Sequence, residues 1–176
     1  MKFVIPETVT SQFHLREGDK VADFGAGRGF FLRPLAETVG QEGEVYLCEI
    51  QKELVEFVAE QARVGGFGNI KPIWCDLEEV GGVHIADSTL DAGILVNTLY
   101  MIEDKAAAMQ EMLRTIRPGG NFFVIDWTDT VPGLGPTPDR VISQAECTSL
   151  FETHGCTLER DFQAGDHHYG LAFKKV

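Results

Sequence analysis

The chain has 176 residues, with Lys+Arg 15 against Asp+Glu 27, giving a formal charge of −12. That length predicts one domain over 1–176, able to bury about 70% of its unfolded surface. A hydrophobic fraction of 44% excludes a disordered chain, and four cysteines exclude a disulfide scaffold. The acidic balance argues against a nucleic-acid binder, which needs a basic footprint, and against docking on anionic membranes. No run is long enough to cross a bilayer, and the N-terminal apolar stretch is too short for a signal-peptide core. A soluble cytoplasmic protein without membrane insertion is expected. Cys48, Cys75, Cys147 and Cys156 form no CxxC spacing, so no metal site is predicted and reduced core thiols are expected.

In chain order, short apolar runs alternate with amphipathic ones, the pattern of a parallel sheet covered by helices. A first strand runs from Lys20 to Phe24 into a glycine turn, Gly25 to Gly29, and a helix from about Gly29 to Val39. Glu44 to Cys48 is a second strand, ending at Glu49. Gln51 to Val64 is a helix, with Leu54, Val58 and Ala62 spaced at i, i+4, i+8. Ile70 to Cys75 is a third strand, ending at Asp76, and Leu90 to Val96 a fourth, apolar nearly throughout. Asp104 can cap a helix that includes Met109, Met112, Leu113 and Ile116 and ends at Pro118-Gly119-Gly120. Asn121 to Trp127 is a fifth strand. The segment from Thr128 to Arg140, rich in proline and glycine, is an irregular loop and the candidate lid. Ser143-Gln144-Ala145-Glu146 is a capping box. Strands near Thr157–Gln163 and Tyr169–Lys174, with Gly165 to His168 between, should pair as a hairpin. The lead-in from Phe3 to Leu15 is expected to cover the binding edge and to carry Phe13 inward.

The chemistry concentrates at Val21-Ala22-Asp23-Phe24-Gly25-Ala26-Gly27-Arg28-Gly29. A strand runs through a tight glycine turn into a helix, whose free N–H groups can meet a ligand at the carboxyl edge of the sheet. A dinucleotide fingerprint would need a small residue where Phe30 stands, which counts against a nicotinamide-dependent oxidoreductase. Asp23, two residues before the first glycine, suits a cationic ligand group. Glu49 can accept both hydroxyls of a ribose, Asp76 can accept the exocyclic amine of adenine, and Asn97 ends the fourth strand. Polar strand ends also arise simply because loops begin there, so the set counts more than any member.

These segments, with Cys75-Asp76-Leu77, Leu90-Asp91-Ala92 through Asn97, and Leu113 through Arg117-Pro118-Gly119-Gly120, resemble a class I S-adenosylmethionine-dependent methyltransferase. The likeness covers about residue 15 onward, and within that family the chain is similar to small ubiquinone/menaquinone-type methyltransferases. The resemblance implies an α/β, Rossmann-like, doubly wound sheet of seven strands in three α/β/α layers. The sheet would be mostly parallel, with an antiparallel C-terminal strand inserted beside the fifth. It implies S-adenosylmethionine as cofactor, with Gly25 and Gly27 against its methionine part, Asp23 at its amino end, Glu49 at the ribose, Asp76 at the adenine and Asn97 behind the methionine. Ala26, Ile50 and Leu77 complete the expected cofactor-binding set.

Methyl transfer is an in-line displacement that needs alignment more than a fixed catalytic motif. Candidates near the reacting edge are Asp126, to orient or deprotonate substrate, Tyr100 and Trp127 as walls, and His167 and His168. The two histidines fall in the expected hairpin turn, which favours an ordinary turn role. A thiol site would need converging cysteines, for which the spacing of Cys48 and Cys75 gives little support. No substrate-capping domain is evident, so the acceptor is small or lipid-like, supplied by a partner, or held at a homo-oligomer interface. The alternative is a non-catalytic S-adenosylmethionine-binding module serving a partner protein.

Overall fold

The computed structural model describes residues 3–176. Its strands are β1 (Lys20–Phe24), β2 (Glu44–Glu49), β3 (Ile70–Trp74), β4 (Leu90–Val96), β5 (Ile116–Trp127), β6 (Cys156–Gly165) and β7 (His168–Lys175). They form one sheet in the order β3-β2-β1-β4-β5-β7-β6. The first five strands are parallel, and β7 runs antiparallel between β5 and β6. The strand order reverses between β1 and β4, so their carboxyl ends splay and open a crevice.

Strand alternation divides the core into two layers. On one face Ala22, Phe24 and Phe122 pack under α4 (Lys105–Thr115) and α5 (Gln144–Thr153) through Met109, Met112 and Phe151. On the other, Val21, Val45 and Ile94 pack under α1 (Pro6–Thr10), α2 (Leu32–Val39) and α3 (Lys52–Gly65). The lead-in is part of this second layer. Phe13 is buried, with its ring centroid 4.6 Å from that of Phe123. The capping box forms: Ser143 Oγ accepts the Glu146 N–H at 3.2 Å, and Glu146 Oε2 accepts the Ser143 N–H at 2.8 Å. Asp104 caps α4 by accepting the Ala107 N–H at 3.0 Å.

Three boundaries differ from the sequence reading. The helix expected from Gly29 begins at Leu32, because Gly27 and Gly29 have φ of 54° and 73° and keep the intervening backbone in turns. Ile116 is not in the helix. It opens β5 opposite Leu90, and the register to Asn121 opposite Ala92 accommodates Arg117-Pro118-Gly119-Gly120 as a bulge. The final hairpin turns on Asp166 and His167 alone, so His168 is a strand residue facing Trp127 of β5, not a turn residue.

The stretch between β3 and β4 has no regular structure and is held by one buried carboxylate. Glu111 of α4 accepts the N–H groups of Gly81 and Val83 at 3.1 and 3.0 Å. Arg114 bonds Glu111, the carbonyls of Val83 and Ile85, and Asp87. Burial raises the Glu111 pKa, but Arg114 and the two N–H groups outweigh it and hold the group below its usual range. With the folded pKa depressed, its contribution is present above the unfolded carboxyl range and lost as pH falls through the folded value. Glu111→Ala strands the buried Val83 N–H, the part-buried Gly81 N–H and one face of the guanidinium. It should lower unfolding free energy by about 2–4 kcal/mol in urea denaturation, the difference shrinking toward pH 3. A loss below about 0.5 kcal/mol would remove this clamp from the account.

Candidate functional site

A cavity of about 820 Å³ opens over the carboxyl ends of β1, β2 and β4. That is near the upper end of ordinary small-molecule sites, roughly 300–1,000 Å³. All nine residues expected at a cofactor line it: Asp23, Gly25, Ala26, Gly27, Glu49 and Ile50 on one side, with Asp76, Leu77 and Asn97 across from them.

The glycine turn is fixed by its neighbours. Gly25 and Ala26 both donate their N–H to the Cys48 carbonyl, each at 2.9 Å, which locks the turn to β2. Gly25 has φ of 78°, and a Cβ there would meet Thr98 at 2.7 Å, so β1 and β4 close tightly behind it. Gly27 is the opposite case. A Cβ there would meet nothing within 4 Å, which leaves the backbone open to a ligand.

Glu49 is aimed by two backbone donors. Its Oε2 accepts the Gly27 N–H and its Oε1 the Gln51 N–H, both at 2.9 Å. One lone pair on each oxygen remains for a diol. Asp23 is 2% exposed, and burial together with the nearby Glu49 charge pushes its carboxyl up to about 7. Two acids therefore face one cavity, whose cation among the described lining residues, Arg28, is turned over the Phe57 ring, and a cationic ligand would offset their charge. Asp76 is preset by accepting the Glu78 N–H at 2.8 Å. Asn97 sits at φ of 53°, and its Oδ1 is buried without a partner.

The cavity continues past β4 into an aromatic corner. The rings of Trp127 and His168 lie 4.3 Å apart, and Phe3 meets both edge-on at 6.2 and 6.3 Å. Leu134 of the expected lid and Met101 complete the rim, each about half exposed. Phe30 also lines the mouth and is 72% exposed. Its ring turns outward because α2 starts after it.

Tyr100 and Asp126 lie outside the lining. Asp126 is buried behind the wall, where its Oδ1 accepts the Trp127 N–H at 2.8 Å and its Oδ2 has no partner among the described residues. Burial pushes its carboxyl up to about 6, although the backbone N–H groups of Trp127, Tyr100 and Leu99 near it act the other way. Cys48 and Cys75 do converge: their thiols are in hydrogen-bonding contact on the cavity floor, and this contact, with burial, holds Cys48 well above the usual thiol range. The Cys48 thiol therefore stays protonated and weakly nucleophilic. Among the described residues no group of three or more His, Cys, Asp or Glu is placed to hold a metal, and no helix is long and apolar enough to cross a membrane.

Sequence reasoning put His168 in a turn and so undervalued it. The available signal was two-residue alternation counted back from Tyr169, but that count depends on where the hairpin turns.

The model of a methyltransferase domain matches residues 15–157. The chain is 32% identical over 125 residues to the ubiquinone/menaquinone biosynthesis C-methyltransferase UbiE of Chromobacterium violaceum, covering 71% of this chain and 50% of that protein. It is 30% identical over 118 residues to UbiE of Haemophilus ducreyi, covering 66% and 44%. The chain thus spans about half the length of these curated relatives. Among solved structures, a SAM-dependent methyltransferase from Aquifex aeolicus superposes with a TM-score of 0.89 at 28% identity, covering 99% of this chain and 91% of that one. With the family model spanning most of the chain and this fold behind it, the chain belongs to the class I S-adenosylmethionine-dependent methyltransferases.

Proposed function

We propose that this chain transfers the methyl group of S-adenosylmethionine to a small-molecule acceptor bound in the aromatic corner. The observation that carries this reading is the pair of buried acids, Asp23 and Glu49, facing one cavity beside an open glycine turn. The residues fit the cofactor group by group. Asp23 meets the α-ammonium, Gly25, Ala26 and Gly27 admit the methionine chain, and Asn97 offers its unpartnered Oδ1 from the opposite wall. Glu49 takes the ribose hydroxyls with its free lone pairs. Asp76 accepts the adenine amine, while Ile50 and Leu77 supply apolar contact to the ring.

When bound, the cofactor supplies an electrophilic methyl on a cationic sulfur. The chain's part is to orient that methyl toward the acceptor corner, hold the acceptor's reacting atom in line, and exclude water. The exposed apolar rim of Phe30, Met101 and Leu134 favours an acceptor with an apolar body. Tyr100 and Asp126 then act from behind the wall, setting the position of the β4 and β5 ends. The small-molecule assignment agrees with the relatives named ubiquinone/menaquinone biosynthesis C-methyltransferases.

Two expectations test the site. Asp23 keeps its proton up to about pH 7 in the free protein, a raised folded pKa. Its contribution to stability is therefore full below the unfolded carboxyl range near pH 4 and declines as pH rises toward 7. A bound ammonium favours the carboxylate and expels that proton. S-adenosylhomocysteine should thus bind more tightly as pH rises from 5 to 7, by up to about tenfold per unit, with proton release in calorimetry across buffers. Asp23→Asn should abolish the pH dependence; a pH-independent affinity in the unmodified protein would remove Asp23 from the ammonium.

Glu49→Ala should weaken cofactor binding by about 1–3 kcal/mol through lost charge-assisted bonds to the ribose. Equal affinity of the two proteins would remove the ribose assignment. Release of S-adenosylhomocysteine over a panel of acceptors distinguishes an enzyme from a cofactor-binding module: turnover supports the reading, and cofactor binding with no turnover on any acceptor supports the module.

A further inference from the structure

The aromatic corner holds two buried polar atoms that the cofactor reading leaves unused. Trp127 and His168 are each 7% exposed, and Trp127 Nε1 and His168 Nε2 have no partner among the described residues. Both residues line the cavity. Buried polar atoms are almost always satisfied, so an unpaired donor and an unpaired acceptor in one corner point to a ligand group.

The chemistry of each atom follows from its ring. His168 Nδ1 lies 2.8 Å from the Asp166 carbonyl, an atom that only accepts. Nδ1 therefore carries the ring proton, and Nε2 of the neutral ring presents a lone pair. Trp127 Nε1 can only donate. A group that accepts from one and donates to the other is a hydroxyl, and the surrounding faces of Phe3, Trp127 and His168 suit a flat apolar body carrying it.

Building on the methyltransferase reading, we infer that Trp127 and His168 bind the acceptor's hydroxyl and that His168 Nε2 takes its proton as the oxygen is methylated. The acceptor oxygen forms the new bond to the methyl carbon, and the carbon–sulfur bond breaks. That bonding pair goes to sulfur, which becomes a neutral thioether. The hydroxyl proton passes to Nε2, giving an imidazolium that returns it to water after product leaves. Methylation at oxygen sets this chain apart from the C-methyltransferases that it resembles in part.

Burial lowers the His168 pKa, which keeps the ring neutral and ready to accept through the neutral range. The charged and titratable groups near it are Asp129 beyond β5, His167 in the turn and Asp126 next to its cross-strand partner, with Asp166 presenting its carbonyl. Asp129 is bonded to His167 Nδ1 at 2.7 Å, and its charge works against the lowering of the His168 pKa without overcoming it.

The test uses the whole chain saturated with S-adenosylhomocysteine, with 2-naphthol and naphthalene as probes in calorimetry. We expect 2-naphthol to bind at least about tenfold more tightly than naphthalene at pH 8. The preference should fade toward pH 5 as His168 takes up a proton. His168→Gln should remove this pH dependence, and Trp127→Phe, which keeps an aromatic ring but deletes the N–H with the rest of the five-membered ring, should reduce the preference several-fold. S-adenosylhomocysteine affinity is measured on every variant as the control for folding and for the cofactor half. With S-adenosylmethionine in place of the product, mass spectrometry should find the methyl ether. Equal binding of the two probes, no binding of either, a preference unmoved in both variants, or methylation at carbon would overturn the inference. Failure of S-adenosylhomocysteine to bind at all would instead overturn the methyltransferase reading.

Discussion

The site depends on the burial of Asp23, reinforced by the neighbouring Glu49 charge. These acids end adjacent parallel strands, β1 and β2, and face the same crevice. Placing two carboxyls there costs free energy in the ligand-free chain, which responds by holding Asp23 protonated up to about pH 7. A ligand with positive charge at that point relieves the cost, so part of the specificity for a cationic cofactor is stored in the empty fold. The glycine turn contributes by omission. The missing Cβ at Gly27 leaves room for the ligand's backbone-like chain, while the missing Cβ at Gly25 lets Thr98 close the back wall.

The sheet topology makes this arrangement available. Because order reverses between β1 and β4, loops leave these strands in opposite directions and cannot fill the space above them. The insertion of β7 beside β5 adds the second half. It carries His168 up against Trp127 and extends the crevice from a cofactor slot to a slot with an aromatic annex. The lead-in closes the annex: Phe13 anchors it in the lower core, and Phe3, ten residues earlier in the chain, reaches the two rings.

The gathering of Asp23, Glu49, Asp76 and Asn97 along one cavity was legible in the sequence because each stands at the end of an apolar run. They need only strand alternation and the parallel-sheet rule to reach one edge. The acceptor half was less so. His168 owes its position to a register between β5 and β7, a long-range pairing with no local signature. Cys48 and Cys75 meet on the cavity floor for the same reason, through the β2–β3 register, although nothing in their spacing shows it. The stretch after Asp76 has no periodicity to read, and its order comes from Glu111 and Arg114 on a helix some thirty residues later. Asp126 was placed correctly at the end of β5, but it lies buried outside the cavity lining with one oxygen on the Trp127 N–H, which strand alternation alone does not reveal.

The central claim is that Asp23 is held neutral by its surroundings until a cation arrives. Carbon-13 NMR of its carboxyl, titrated in the free protein and in the complex with S-adenosylhomocysteine, reads this directly. The account predicts a midpoint near pH 7 in the free protein, falling to or below the ordinary carboxylate range when the ligand is bound. An ordinary midpoint in the free protein, or one that ligand binding leaves unmoved, would contradict it.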